Sequence, residues 1–158
     1  MRYVVIADDG ELHVKDGTYR QARAEVGPPG WDRIRLQPPD GDVCDWAGWI
    51  NGDGHVLGLP RNLVGGLILI GLGAPIQPYP GPVVITGWDP HGQPNEVAGL
   101  HDLQIEAIRQ VHEAARQALD GDPEPWAQDA RNVAEAMRTA PTPTITIRTL
   151  DEFLGRQS

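Results

Sequence analysis

Five polar residues lie close enough in the sequence to act together: Asn51, Asp53, His55, Arg61 and Asn62, twelve positions from first to last. They bracket the turn Asn51-Gly52-Asp53-Gly54 and the start of the apolar run that follows Asn62. If the chain folds back at the turn, the five converge on a helix N-terminus. Unpaired backbone N–H groups there, with the Arg61 guanidinium beside them, favour an anion. The ligand this constellation predicts is a small anionic molecule or a nucleotide, with Arg61 as its anchor. The same residue types also serve local structure, Asn51 as a turn former and Asn62 as a helix cap, and that use accounts for both without a ligand.

Other combinations are weaker. Cys44 is the only cysteine, and His55 or His91 could serve it as a base. It sits in an apolar stretch, where a free cysteine behaves as a small hydrophobe, so no thiol nucleophile is expected. Asp40, Asp42 and Asp45 resemble a hard-cation cluster but lack calcium-loop spacing, and Pro39 and Gly41 make the first two turn residues. His101 and His112 share one face of a predicted helix, yet eleven residues separate them by roughly 16 Å, too far to bind one metal. His101 fits a cap position before Asp102, and His112 borders the core. No catalytic residue, metal or cofactor is assigned.

Several classes are excluded by pattern. The chain has no Gly-x-x-x-x-Gly-Lys-Ser/Thr phosphate loop, no His-Glu-x-x-His and no paired cysteines. Its one serine, Ser158, cannot build a Gly-x-Ser-x-Gly elbow. Gly52-x-Gly54 lacks the third glycine of a dinucleotide fingerprint. Thirteen basic against 22 acidic residues give a net charge of −9, which argues against nucleic acid as a partner. The longest apolar run, Leu63–Ile76, carries four glycines and is too short to span a membrane. With a single cysteine and no signal-like start, a cytoplasmic protein is expected.

The elements that must position these residues follow from periodicity and punctuation. Hairpin strands are expected at 2–7 and 11–15, then a short helix from Thr18 to Val26 opened by a Thr18–Gln21 capping box. Trp31–Leu36 alternates, with Ile34 and Leu36 inward, and pairs with a strand over 42–50. Asn51-Gly52 predicts a second hairpin joining Trp46–Ile50 to His55–Leu59. Leu63–Leu72 reads as a buried helix and Pro82–Gly87 as an inner strand, with a loop from Trp88 to Val97. Two amphipathic helices follow, 102–119 and 125–138, the second with Trp126, Ala130, Val133 and Met137 on its inner stripe. Thr144–Leu150 reads as a strand that could join the sheet edge. The expectation is one α+β domain over 1–158: a largely antiparallel sheet of hairpins, a buried central helix, and a C-terminal helical extension over about 100–140. A symmetric dimer through the helical pair is left open.

The order Asn51-Gly52-x-Gly54, Gly58-Leu59-Pro60-x-Asn62 and Gly81-Pro82-Val83-Val84-Ile85-Thr86-Gly87 resembles a domain-of-unknown-function family of small proteins carried by phages, plasmids and integrated elements. The resemblance spans Met1 to about Gln104. Gly52 and His55 depart from the Glu and the basic residue of that family's turn, and its motifs bring no catalytic residues. It implies an accessory protein of a mobile element.

Charge is uneven. From Gln37 to Leu100 there are six acids (Asp40, Asp42, Asp45, Asp53, Asp89, Glu96) and one base, Arg61, beside Trp46, Trp49 and Trp88. Tryptophan is enriched at binding hot spots, and an acidic field steers a basic partner. The preferred expectation is therefore a non-enzymatic protein that binds a host protein through Trp46, Trp49, Trp88, Asp45 and Asp89. The alternative is a small-molecule binder, or a minor enzyme, built around Arg61 and Asn62.

Overall fold

The structure, a computed structural model, describes residues 1–36, 46–89, 91–92 and 96–141. Six strands form one sheet: β1 (Arg2–Ile6), β2 (Leu12–Asp16), β3 (Trp31–Arg35), β4 (Trp46–Asn51), β5 (Val83–Trp88) and β6 (Val97–Ala98). The order is β2-β1-β5-β4-β3, with β6 beside the end of β5, and every strand pairing is antiparallel. Four helices complete the fold: α1 (Tyr19–Ala24), α2 (Leu63–Gly71), α3 (Asp102–Leu119) and α4 (Pro125–Thr139). The architecture is the α+β arrangement expected, with a buried central helix and a C-terminal helical pair.

Strand alternation sends side chains to two different cores. Val4, Ile6, Val83, Ile85 and Ile50 face α2, α3 and α4, and join Ile68, Leu69, Ile108 and Met137 in the larger one. Tyr3, Val5, Val84, Ala47 and Trp49 face the other way, where α1 supplies Ala22 and Val26. α2 is apolar nearly all round because it lies between the sheet and the α3–α4 pair. It approaches the sheet at Gly48, where an added methyl would meet the Leu69 side chain at 2.6 Å.

Capping follows the sequence closely. The Thr18–Gln21 box closes in both directions, and so does a second one between His101 and Gln104. His112 reaches the carbonyl of Gly10 through Nε2 at 2.8 Å, and Arg116 pairs with Glu11 at 3.2 Å, tying α3 to the β1–β2 turn.

The expected hairpin across Asn51-Gly52 is not formed. β4 already has neighbours on both sides, β3 and β5, so His55–Leu59 has no edge of β4 to pair with. The segment folds as consecutive turns instead, with Leu57 N–H donating to Asp53 O and Leu59 N–H to Gly54 O. Gly58, at φ +70°, takes the left-handed conformation that lets the chain reverse there. The stripe of α4 holds at Ala130, Val133 and Met137, which pack on the core with Ala134, but Trp126 at its start is 43% exposed. The two-residue strand β6 begins at Val97, the last residue of the stretch expected as loop, and is too short to register as a periodic signal. The strand expected at Thr144–Leu150, together with Cys44 and the acids Asp40, Asp42 and Asp45, lies outside the described residues.

Candidate functional site

The five residues of the polar constellation separate into two groups. Asn51, Asp53 and His55 line a cleft of about 300 Å³ together with Asp32, Arg33, Ile34, Ile50, Val56, Gln77 and Pro78. Arg61 and Asn62 do not line it.

Asn62 is buried and all of its amide is engaged by backbone. Its Oδ1 accepts from Gly65 N–H at 2.8 Å, capping α2. Its Nδ2 donates to the carbonyls of Ile6 (3.0 Å), Ala7 (3.2 Å) and Gly81 (3.1 Å). One side chain thus joins the start of α2, the end of β1 and the approach to β5.

Arg61 closes the opposite end of a different helix. Its Nη1 donates to Met137 O at 2.9 Å and Arg138 O at 3.0 Å, among the last carbonyls of α4. These carbonyls lack intrahelical donors and carry the negative end of the helix dipole, so a guanidinium is well matched to them.

Asn51 clamps the chain after α1 to the end of β4. Its Nδ2 donates to Val26 O (2.8 Å) and Pro28 O (3.0 Å), and its Oδ1 accepts from Asp53 N–H at 2.8 Å, an Asx-type turn. The Asp53 side chain is left at the cleft mouth, exposed.

His55 is half-buried on the cleft wall. Burial first, and then the Arg61 guanidinium nearby, hold its imidazole below the ordinary value of 6.5, against a hydrogen bond to the Pro78 backbone that pulls the other way. A histidine with a lowered folded-state pKa binds its proton later than it does in the unfolded chain. Its contribution to stability is therefore complete above pH 6.5 and is lost as the pH falls from there through the folded-state pKa. Unfolding midpoints measured from about pH 7.5 to about pH 5.5 should drop in the native chain, and the drop should be smaller in His55→Gln. An equal drop in both would show that His55 carries none of it.

The tryptophan set divides as well. Trp46 packs on the helix-side core and Trp49 on the opposite face, as alternate pointing along β4 requires. Trp49 is buried, stacked on Trp31 with ring centroids 4.0 Å apart, and donates its indole N–H to Thr86 Oγ1 at 2.9 Å. Trp88 is half-buried, with the Arg33 guanidinium 4.1 Å from its ring centroid. Tyr19 meets the edge of Trp31 at 5.5 Å, completing an aromatic row on the α1 face. Trp31 was absent from the expected partner set, although its place opposite Asn51 in the β3–β4 register puts it in this row. Asp89 is exposed, its Oδ1 accepting from His91 N–H in a turn. Asp45 lies outside the described residues. Trp46, Trp49 and Trp88 therefore do not share one surface.

Among the described residues the exposed large apolar side chains fall in two places: Leu103 and Trp126 on α3 and α4, and a set of three after β4 and α2. Val56 is 74% exposed and Leu57 56%, on the turns after β4, and Ile76 is 64% exposed just before Gln77 and Pro78. Of the three, Val56 lines the cleft together with Gln77 and Pro78, while Leu57 and Ile76 are only the chain neighbours of lining residues. Sequence reasoning missed them because a strand at His55–Leu59 would have paired that segment into the sheet.

Other concavities are found among the described residues, including one of about 300 Å³ over Arg20, Arg23 and Pro28. A very open one of about 580 Å³ lies over Tyr3, Lys15 and Glu25, where Lys15 Nζ and Tyr3 Oη both donate to Glu25. A smaller apolar groove of about 200 Å³ runs between α2, α3 and α4, past Trp126. Among the described residues no group of three or more His, Cys, Asp or Glu could hold a metal ion, and no helix is long and apolar enough to cross a membrane. Compared with protein-family models, with curated proteins and with solved structures, the chain matches none.

Proposed function

We propose that the protein is a non-enzymatic accessory protein of a phage or other mobile element, and that it acts by binding a host protein. The observation that carries this reading is the exposure of Val56 on the wall of a polar cleft, with Leu57 and Ile76 exposed beside lining residues in the chain. Large apolar side chains on short, well-anchored turns have a solvation cost that a partner surface removes. The turn that holds Val56 and Leu57 is fixed at both ends, by Asn51 and by Arg61, so little ordering is left for binding to impose. Acids at the cleft, Asp32 and Asp53, and the net charge of −9 favour a partner with basic side chains. The surface lies beside the region first expected to bind, on different residues.

A ligand site anchored by Arg61 has less support, because the guanidinium is turned to the α4 carbonyls. A small ligand would have to be held by Asn51, Asp53 and His55 in the cleft.

The test is capture of a host protein by the immobilised full chain, followed by measurement of the isolated pair. The double variant Val56→Glu/Leu57→Glu should weaken the complex by about tenfold or more, the loss typical of a hot-spot pair. Its melting temperature should stay near that of the native chain, because both side chains are already in water. Undiminished binding by that variant would remove this surface, and no capture above a charge-matched control would remove the partner reading.

A further inference from the structure

We infer that the partner contributes an extended segment that adds to the outer edge of β3, with a basic side chain entering the cleft; this rests on the partner reading above. β3 ends the strand order β2-β1-β5-β4-β3, and among the described residues no strand pairs with its far side. Alternate residues of Trp31–Arg35 turn their N–H and C=O groups to that side, a row of main-chain donors and acceptors that an added strand would satisfy. β3 has no proline and no bulge, and its register with β4 is regular from Trp31↔Asn51 to Arg35↔Ala47; its charges, Asp32, Arg33 and Arg35, oppose indiscriminate pairing and so select the strand that can add.

The cleft lies along this same edge. Its floor is Ile34 and Ile50, neighbours on the helix side of β3 and β4, and its far wall is His55, Val56, Gln77 and Pro78. A strand laid beside β3 sends alternate side chains to the two faces of the sheet. On the helix side they meet Ile34 and then the exposed carboxylates of Asp32 and Asp53. On the α1 side they meet Arg35, which is exposed, while the Arg33 guanidinium is turned inward onto the Trp88 ring. The two faces of the edge therefore carry opposite charge.

That arrangement specifies the occupant. It is a peptide segment of about five residues, to match β3, with β-branched or other apolar side chains beside Ile34 and a Lys or Arg beside Asp32 and Asp53. On its opposite face it carries Asp or Glu, beside Arg35. Main-chain pairing supplies the attachment, while the charge alternation supplies register and choice of partner.

The experiment is a selection of random ten-residue peptides displayed against the immobilised full chain, followed by fluorescence titration of the enriched peptides. Enriched sequences should alternate, with a basic residue on one face of the strand and an acidic residue on the other. Arg35→Glu should weaken the best peptide at least tenfold, and a peptide with its acid changed to Lys should recover that loss against the same variant. Melting curves verify that the variant is folded; should Arg35→Glu fail to fold, Asp32→Lys with the matching base-to-acid peptide makes the same comparison. Enrichment without alternation, or a charge swap that recovers nothing, would overturn the proposal. So would binding that is absent in the native chain and present in Ile145→Asp/Ile147→Asp, which would assign the edge to the chain's own residues 144–150. A captured host protein whose binding needs Val56 and Leu57 but ignores Arg35 and Asp32 would defeat the added strand and leave the partner reading standing.

Discussion

Asn62→Ala should lower the stability of the protein by about 4 kcal/mol, one of the largest losses available from a single polar side chain. Losing the cap on α2 accounts for about 1 kcal/mol. The remainder comes from the carbonyls of Ile6 and Gly81, which lose a buried donor at about 1–3 kcal/mol for each group left without a partner, whereas Ala7 O keeps its bond from Gly10 N–H. A chain of this length loses about 2–4 °C of melting temperature per kcal/mol, so a fall of about 12 °C is expected by calorimetry. Asn62→Asp separates the two causes. It keeps an acceptor for Gly65 N–H but turns a carboxylate towards three carbonyl oxygens. If the donors matter more than the cap, Asn62→Asp should be at least as unstable as Asn62→Ala. Recovery of most of the stability by Asp would show that capping dominates.

Trp49→Ala should be comparably damaging, at about 3–5 kcal/mol, the range for truncating a buried aromatic. The indole is the centre of the α1-side core: it stacks on Trp31, lies 6.2 Å from Trp88 and packs with Val84 and Ala47. Its loss would leave Thr86 Oγ1 with its own bond to Gly87 O but without the indole donor. Trp49→Phe keeps a six-membered ring in the core but loses the N–H and two ring carbons, so it should cost about 1–2 kcal/mol. Chemical denaturation of both variants measures the difference. Similar losses in the two would mean that the hydrogen bond, and not the packed ring, carries the effect.

The fold was readable where the sequence carries a strong period or a local capping signal. α3 and α4 announce themselves by spacing, and Thr18, Asn62 and His101 mark helix starts by side chains that bind the backbone three residues on. The alternation of β3 also holds, with Ile34 and Leu36 in the helix-side core. What failed was pairing. Asn51-Gly52 is a turn in either arrangement, but whether the next residues return beside β4 depends on which strands already occupy its two edges. That is decided by β5, more than thirty residues later, and no local pattern reports it. The candidate site failed for a related reason. Arg61 and Asn62 have the residue types of an anion site, yet the backbone groups they satisfy belong to β1, α4 and the approach to β5, which are remote in sequence. The exposure of Val56 and Leu57 became visible only once the hairpin was gone.

The face-to-face contact of Trp31 and Trp49 has an optical consequence. Two indoles whose planes lie 18° apart at 4.0 Å are close enough for their excited states to couple, which gives a paired positive and negative band in the circular dichroism spectrum. Each ring comes from a different strand, β3 and β4, so the signal exists only while those strands are in register. The protein thus carries a built-in spectroscopic gauge of its own β3 edge. It can be followed without a label, as the difference between the spectra of the native chain and Trp31→Phe.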